Sequence, residues 1–253
     1  MQKAYIIGGV ILGAVVIGAL VLVPRWLGKE APPPPPPPTV PVESEPVPVP
    51  ETLAPAQPVA EPEPLLPSLD DSDGFVSEAL APMEIPEPWI GKGDLIRRLA
   101  VVVENAARGD YPRRQLAFLS PAGPFRVLKQ EDGTLLMDPA GYARYDGYVD
   151  MLERMPPDQM ASLLSRVEPL LSEALKELGL KDAGDELLDA AIDRVLAVPV
   201  LEGEVSLLQP NVLYEFADPV LESLTPLQKQ ILRTGPDNVQ RIQAYLRQVR
   251  EAL

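Results

Sequence analysis

The sequence predicts a mainly α-helical globular domain with one small β-hairpin, carried behind a single N-terminal transmembrane helix and a disordered proline-rich spacer. Three observations carry this reading. An uncharged apolar run fills residues 4–23, proline crowds residues 24–68, and from 69 to 253 apolar residues recur at helical spacing between capping residues. The chain divides accordingly into a tail at 1–3, the span at 4–23, the spacer at 24–68 and the domain at 69–253.

The run "AYIIGGVILGAVVIGALVLV" has the length a helix needs to cross about 30 Å of hydrocarbon. It is long for the apolar core of a cleaved signal peptide, and "VPRWLGKEA" after it offers no small-x-small cleavage site. Arg25 and Trp26 suit the headgroup level at its end. Gly9 and Gly13 set small residues four apart on one face, a spacing compatible with a weak homodimer through those two glycines. Lys3 on one side and Arg25 and Lys29 on the other leave the flanking charge nearly balanced. A long polar bulk can translocate regardless of such charges, and the spacer resembles those of envelope proteins. The expected location is the bacterial inner membrane, single-pass, with the C-terminal domain periplasmic.

In the spacer, "APPPPPPPTVPVESEPVPVPETLAPAQPVAEPEPLLP" cannot build a core, because proline fixes φ and removes backbone donors. Polyproline II at about 3.1 Å per residue would carry the domain on the order of 100 Å from the bilayer. The stretch lacks the flanking basic residue that SH3-type grooves commonly use, so it reads as a spacer before it reads as a ligand.

Composition narrows the chemistry. The chain has no histidine and no cysteine, which removes Ser-His and Cys-His nucleophile pairs and zinc sites built on imidazole or thiolate. A formal charge of −15, carried mainly by the domain, disfavours nucleic acid as a partner, since phosphate binding needs a clustered basic surface. Nothing calls for a metal or cofactor.

The first domain segment, "SLDDSDGFVSEAL", resembles a calcium loop, but with Gly74 at loop position six Leu69 falls where a carboxylate is needed. Asp70 to Asp73 are expected instead to cap a short helix bearing Phe75, Val76, Ala79 and Leu80. "GDLIRRLAVVVENAARGD" is a helix capped by Asp94 and stopped by Gly109, so Arg108-Gly109-Asp110 is a helix end. "FRVLKQEDGTLLM" reads as the hairpin, turning at Asp132-Gly133. "DPAGYARYDGYVDMLERM" follows as a helix with Asp138 capping and Pro139 in the first position.

A long run from Asp158 to Leu178 puts Leu163, Leu164, Val167, Leu170, Leu171, Ala174, Leu175 and Leu178 on one face, with Pro169 expected to kink or split it. Leu188, Ala191, Ile192 and Val195 mark the next helix. In "LYEFADPVLESLTPLQ", Asp218-Pro219 and Thr225-Pro226 set proline at two first helical positions, and Gln228 completes a Thr-x-x-Gln box. The stretch reads chiefly as punctuation. Val239, Ile242, Leu246, Val249 and Leu253 line the last of about seven helices.

Candidate contact residues are few. "RGDYPRRQ" clusters Arg108, Arg113 and Arg114, a candidate anion or partner contact that as a charge cluster most simply forms a solvated surface. Tyr142, Tyr145 and Tyr148 recur at helical spacing; a tyrosine stripe can bind sugar or peptide, and more often packs in a core with hydroxyls at the rim. Glu215 and Asp218 could pair with Arg113 or Arg114, or act as the acid and base of a glycan hydrolase.

The segments "LDDSDGFVSEAL", "DLIRRLAVVVENAARGDYPRR", "DPAGYARYDGYVDMLE" and "PNVLYEFADPVLESLTPLQKQILRTGP" together resemble a bacterial family catalogued as domain of unknown function 3014. Its members are similar in having an N-terminal span and a proline-rich spacer. Between Lys181 and Asp185 the chain departs from the family pattern in lacking an aromatic residue. The resemblance implies no activity, ligand or catalytic residue. The expected function is therefore a membrane-tethered, non-enzymatic binding or scaffolding module of the bacterial cell envelope with a protein or cell-wall partner; the alternative is a carboxylate-dependent glycan hydrolase acting on cell wall.

Overall fold

The computed structural model describes residues 66–85, 90, 93–116, 120–121, 123–180 and 184–253. The expected membrane span with Gly9 and Gly13, nearly all of the spacer, and residues 181–183 of the stretch departing from the family pattern lie outside them. Among the described residues no helix is long and apolar enough to cross a membrane.

Eight described α-helices run in order: α1 Ser72–Leu80, α2 Leu95–Arg108, α3 Asp146–Arg154, α4 Pro157–Glu177, α5 Gly184–Leu196, α6 Pro219–Glu222, α7 Pro226–Leu232 and α8 Pro236–Ala252. The domain is mainly helical, as the spacing of its apolar residues predicts. Helix α2 packs on α4 and α5, and α8 packs on α4 and α3. Val102, Val103 and Ala106 on α2 are fully buried, and residues this small let neighbouring helices approach closely. Leu178 and Leu253, expected on inward stripes, are exposed, because each lies just past the last turn of its helix.

Helix ends are closed by side chains from elsewhere in the fold. The buried Gln243 Nε2 donates to the carbonyls of Val195, Leu196 and Val198, Gln228 Nε2 donates to Arg194 O, and Arg194 Nη2 donates to Ala107 O. These bonds add side-chain donors to the carbonyls at the C-terminal ends of α5 and α2 and just past α5, where a helix leaves carbonyls without intrahelical partners. At the other end of α2 the expectation is corrected. Asp94 adopts φ 54° and makes no side-chain cap; the Asp73 carboxylate accepts instead from Asp94 N at 2.9 Å and Leu95 N at 2.7 Å. The other acids of the calcium-like cluster are engaged too, Asp70 with Arg97 at 2.7 Å and Asp71 with the Ser68 hydroxyl at 2.7 Å.

Pro169 neither splits nor ends α4, which continues to Glu177. It sits on the exposed face, where the carbonyl it leaves unbonded can be hydrated. The segment after Asp138 is also refined: Asp138 caps it by accepting from Ala140 N at 2.9 Å, but Pro139–Tyr145 is a 3-10 helix before α3 begins.

The expected hairpin is present as β1 Val127–Lys129 and β2 Leu135–Met137, with Gly133 at φ 87° in the turn. It is half of a larger sheet. Strands β3 Ser206–Leu208 and β4 Glu215–Phe216 extend it to four antiparallel strands in the order β1-β2-β3-β4, with Leu135 opposite Leu207 and Leu207 opposite Phe216. Part of the stretch expected as punctuation is thus a strand, too short for its two residues to show alternation. Met137, Leu207 and Phe216 join the core from one face.

Candidate functional site

The sequence-derived contact residues do not form one cluster. Arg108 ends α2 on the surface, ion-paired with Glu104. Its neighbour Gly109 stands at φ 84°, and a Cβ there would lie 2.6 Å from Thr225 Cγ2, so the Arg-Gly-Asp tripeptide marks a close approach between α2 and the start of α7. Arg113 and Arg114 are exposed on the following turn. Asp218 is exposed and caps α6 through Val220 N at 2.8 Å. Glu215 is half-buried on β4. Among the described residues no ion pair joins Glu215 or Asp218 to Arg113 or Arg114. The tyrosine stripe diverges as well: Tyr142 stacks on Gly235 beside a cavity of about 270 Å³ that Leu201 and Val205 also line, whereas Tyr145 is fully buried.

Around Tyr145 the fold assembles a cluster that sequence reasoning missed. Arg144 donates from Nη1 to Pro124 O at 2.8 Å and from Nη2 to the Tyr145 hydroxyl at 2.9 Å. Its guanidinium carbon lies 4.9 Å from the Tyr145 ring centre and 5.8 Å from that of Phe125. Arg144 Nε is buried and has no hydrogen-bond partner among the described residues. Arg233, directly after α7, lies 5.8 Å from Phe125 and 5.7 Å from Phe216, both within cation–π range. The Tyr214 ring stands 6.0 Å from Phe125.

Arg233 is the unusual member, a half-buried cation with no ion pair among the described residues. The carboxylate whose charge reaches it is that of Glu222. Both oxygens of that group are already engaged, Oε1 with Lys229 Nζ at 2.5 Å and Oε2 with Phe216 N at 2.8 Å. Burial pulls the Arg233 pKa below its ordinary value, the Glu222 charge opposes this, and the charge of Arg113 adds to the lowering. Burial likewise raises the Tyr145 pKa, with Arg144 and Arg233 pulling it back. Gln230, 4% exposed, acts on the Tyr145 hydroxyl from its side, yet its Nε2 lacks a well-formed hydrogen bond. Of the sequence-derived residues, Tyr145 is therefore inside this cluster and Arg113 reaches it by charge.

A family model described as "Protein of unknown function (DUF3014)" matches residues 95–250, more than half of the chain. The chain belongs to this family. The DUF3014 region contains every member of the arginine–aromatic cluster, from Phe125 to Arg233. No curated protein and no solved structure matches this DUF3014 chain. Among its described residues, no group of three or more acidic side chains is placed to hold a metal ion.

Little in the sequence marks this cluster. Arg144 falls between tyrosines on a segment read as a helix with a tyrosine stripe, and Arg233 has the place of an ordinary basic residue at a helix C-terminus. Their aromatic partners arrive from β4 and from the approach to β1, contacts that no local spacing encodes.

Proposed function

We propose that this DUF3014 chain is a membrane-tethered, non-enzymatic binding module of the bacterial cell envelope, held outward by its proline-rich spacer. The observation that carries the binding role is Arg233, a cation set against two phenylalanine rings with no ion pair among the described residues. Positioned cations of this kind are costly unless something meets them. The tether rests on the apolar run at 4–23 and the prolines that follow.

Reporter fusions after Leu253 test the placement: alkaline phosphatase is expected to be active and an exported fluorescent protein dark. A bright, phosphatase-negative fusion would put the domain in the cytoplasm. The non-enzymatic part is tested with purified cell wall, from which no sugar is expected to be released. Release that disappears in Glu215→Gln would overturn it.

A further inference from the structure

We infer that Arg144 and Arg233 form an oxyanion-binding site, for a carboxylate or a phosphate group whose carrier rests against Phe125 and Tyr214. The inference rests on reading the domain as a binding module and not on its location.

The geometry of a guanidinium supports it. Its two faces are apolar and its five N–H donors lie in its plane. Arg233 meets Phe125 and Phe216 at 5.8 and 5.7 Å, while its donors find no acceptor among the described residues. What remains unused is the hydrogen-bonding edge, the part that matches a carboxylate or phosphate in bidentate fashion. Arg144 is held in place by the Pro124 carbonyl and the Tyr145 hydroxyl, and its Nε is a second buried donor left over. Glu222, whose charge reaches Arg233, has both oxygens engaged by Lys229 and Phe216 N. Arg113, exposed on its turn, adds positive charge near the same point. On a chain of formal charge −15, this is a locally positive site.

Other features point less far. Arg98 is also buried with partnerless nitrogens, but the charges of Asp73 and Asp94 both reach it. The cleft of about 580 Å³ bounded by Glu168, Asp185, Asp189 and Arg250 is an acidic surface with nothing that points to a ligand.

The test uses the purified full-length chain in detergent with 15N-labelled arginine, the Nε resonances of Arg144 and Arg233 being assigned through Arg144→Lys and Arg233→Lys. Inorganic phosphate and sodium acetate are titrated separately against sodium chloride at matched ionic strength. The expected result is a saturable shift at Arg144 and Arg233 with at least one anion, and none at Arg98 or at Arg241, which is ion-paired with Asp150 and Glu153. Saturation with phosphate alone assigns the site to phosphate-bearing ligands, and with acetate alone to carboxylates. Arg233→Lys should weaken binding about ten- to a hundredfold, the range for hydrogen bonds to charged groups; Arg113→Gln should weaken it less. No shift with either anion, or a shift reproduced by chloride or shared by all arginines, overturns the inference. Saturable binding together with a phosphatase-negative fusion would keep the site and discard the envelope placement; an active fusion with no saturable shift would do the reverse.

Discussion

Gly109 and Gly133 share a positive φ, 84° and 87°, but differ in crowding: a Cβ at Gly109 meets Thr225, and at Gly133 none of the described residues lies within 4 Å. Gly133→Ala should therefore cost only the backbone conformation, about 1 kcal/mol, and Gly109→Ala about 2–4 kcal/mol once overpacking is added. Urea midpoints of the two variants check this; equal midpoints would refute the close approach. Tyr245 offers the opposite case. Its hydroxyl is buried with no hydrogen-bond partner among the described residues, so Tyr245→Phe should be neutral or stabilising by about 1 kcal/mol. Burial also raises its pKa above the ordinary 10.0. The neutral hydroxyl is the form the fold favours, so this contribution is complete below pH 10 and is lost as pH rises above it. The urea midpoint of the wild-type chain should fall from pH 8 to pH 10.5, and the fall should be smaller in Tyr245→Phe.

At the scale of elements, the start of α2 separates what the sequence shows from what it conceals. Local caps are legible: Asp138, Asp218 and the Thr225–Gln228 box all act where the spacing places them. The α2 cap is not, because its acceptor comes from Asp73, 21 residues upstream of the Asp94 N–H it receives. Asp73→Ala should cost about 1–2 kcal/mol, as loss of a cap does, whereas Asp71→Ala, which caps no helix through its side chain, should stay within about 0.5 kcal/mol. Equal losses in thermal unfolding would mean that the charge and not the cap is what matters. Helix faces were legible because burial repeats every third or fourth residue. Strands of two and three residues give no such repeat; β3 appears only through pairing with β2, and β4 only through pairing with β3.

For the whole molecule, the fold converts a broadly acidic chain into one with a concentrated cationic point. Sequence composition speaks for the first property and conceals the second, because Phe125, Arg144, Phe216 and Arg233 meet only after helices and sheet have packed. Arg113 and Tyr145 were within reach of sequence reasoning; the arginines that give the cluster its character were not. We propose that the domain, tethered to the membrane, holds its partner through this cluster. This is tested most directly by crosslinking in intact cells that carry the full-length chain or its Arg233→Lys variant at equal membrane levels. The wild-type chain should reproducibly capture the same envelope component, and the variant should capture about tenfold less or lower still, in line with the loss of charged hydrogen bonds. Equal capture by both chains, or capture of nothing beyond bulk membrane proteins by either, would contradict it.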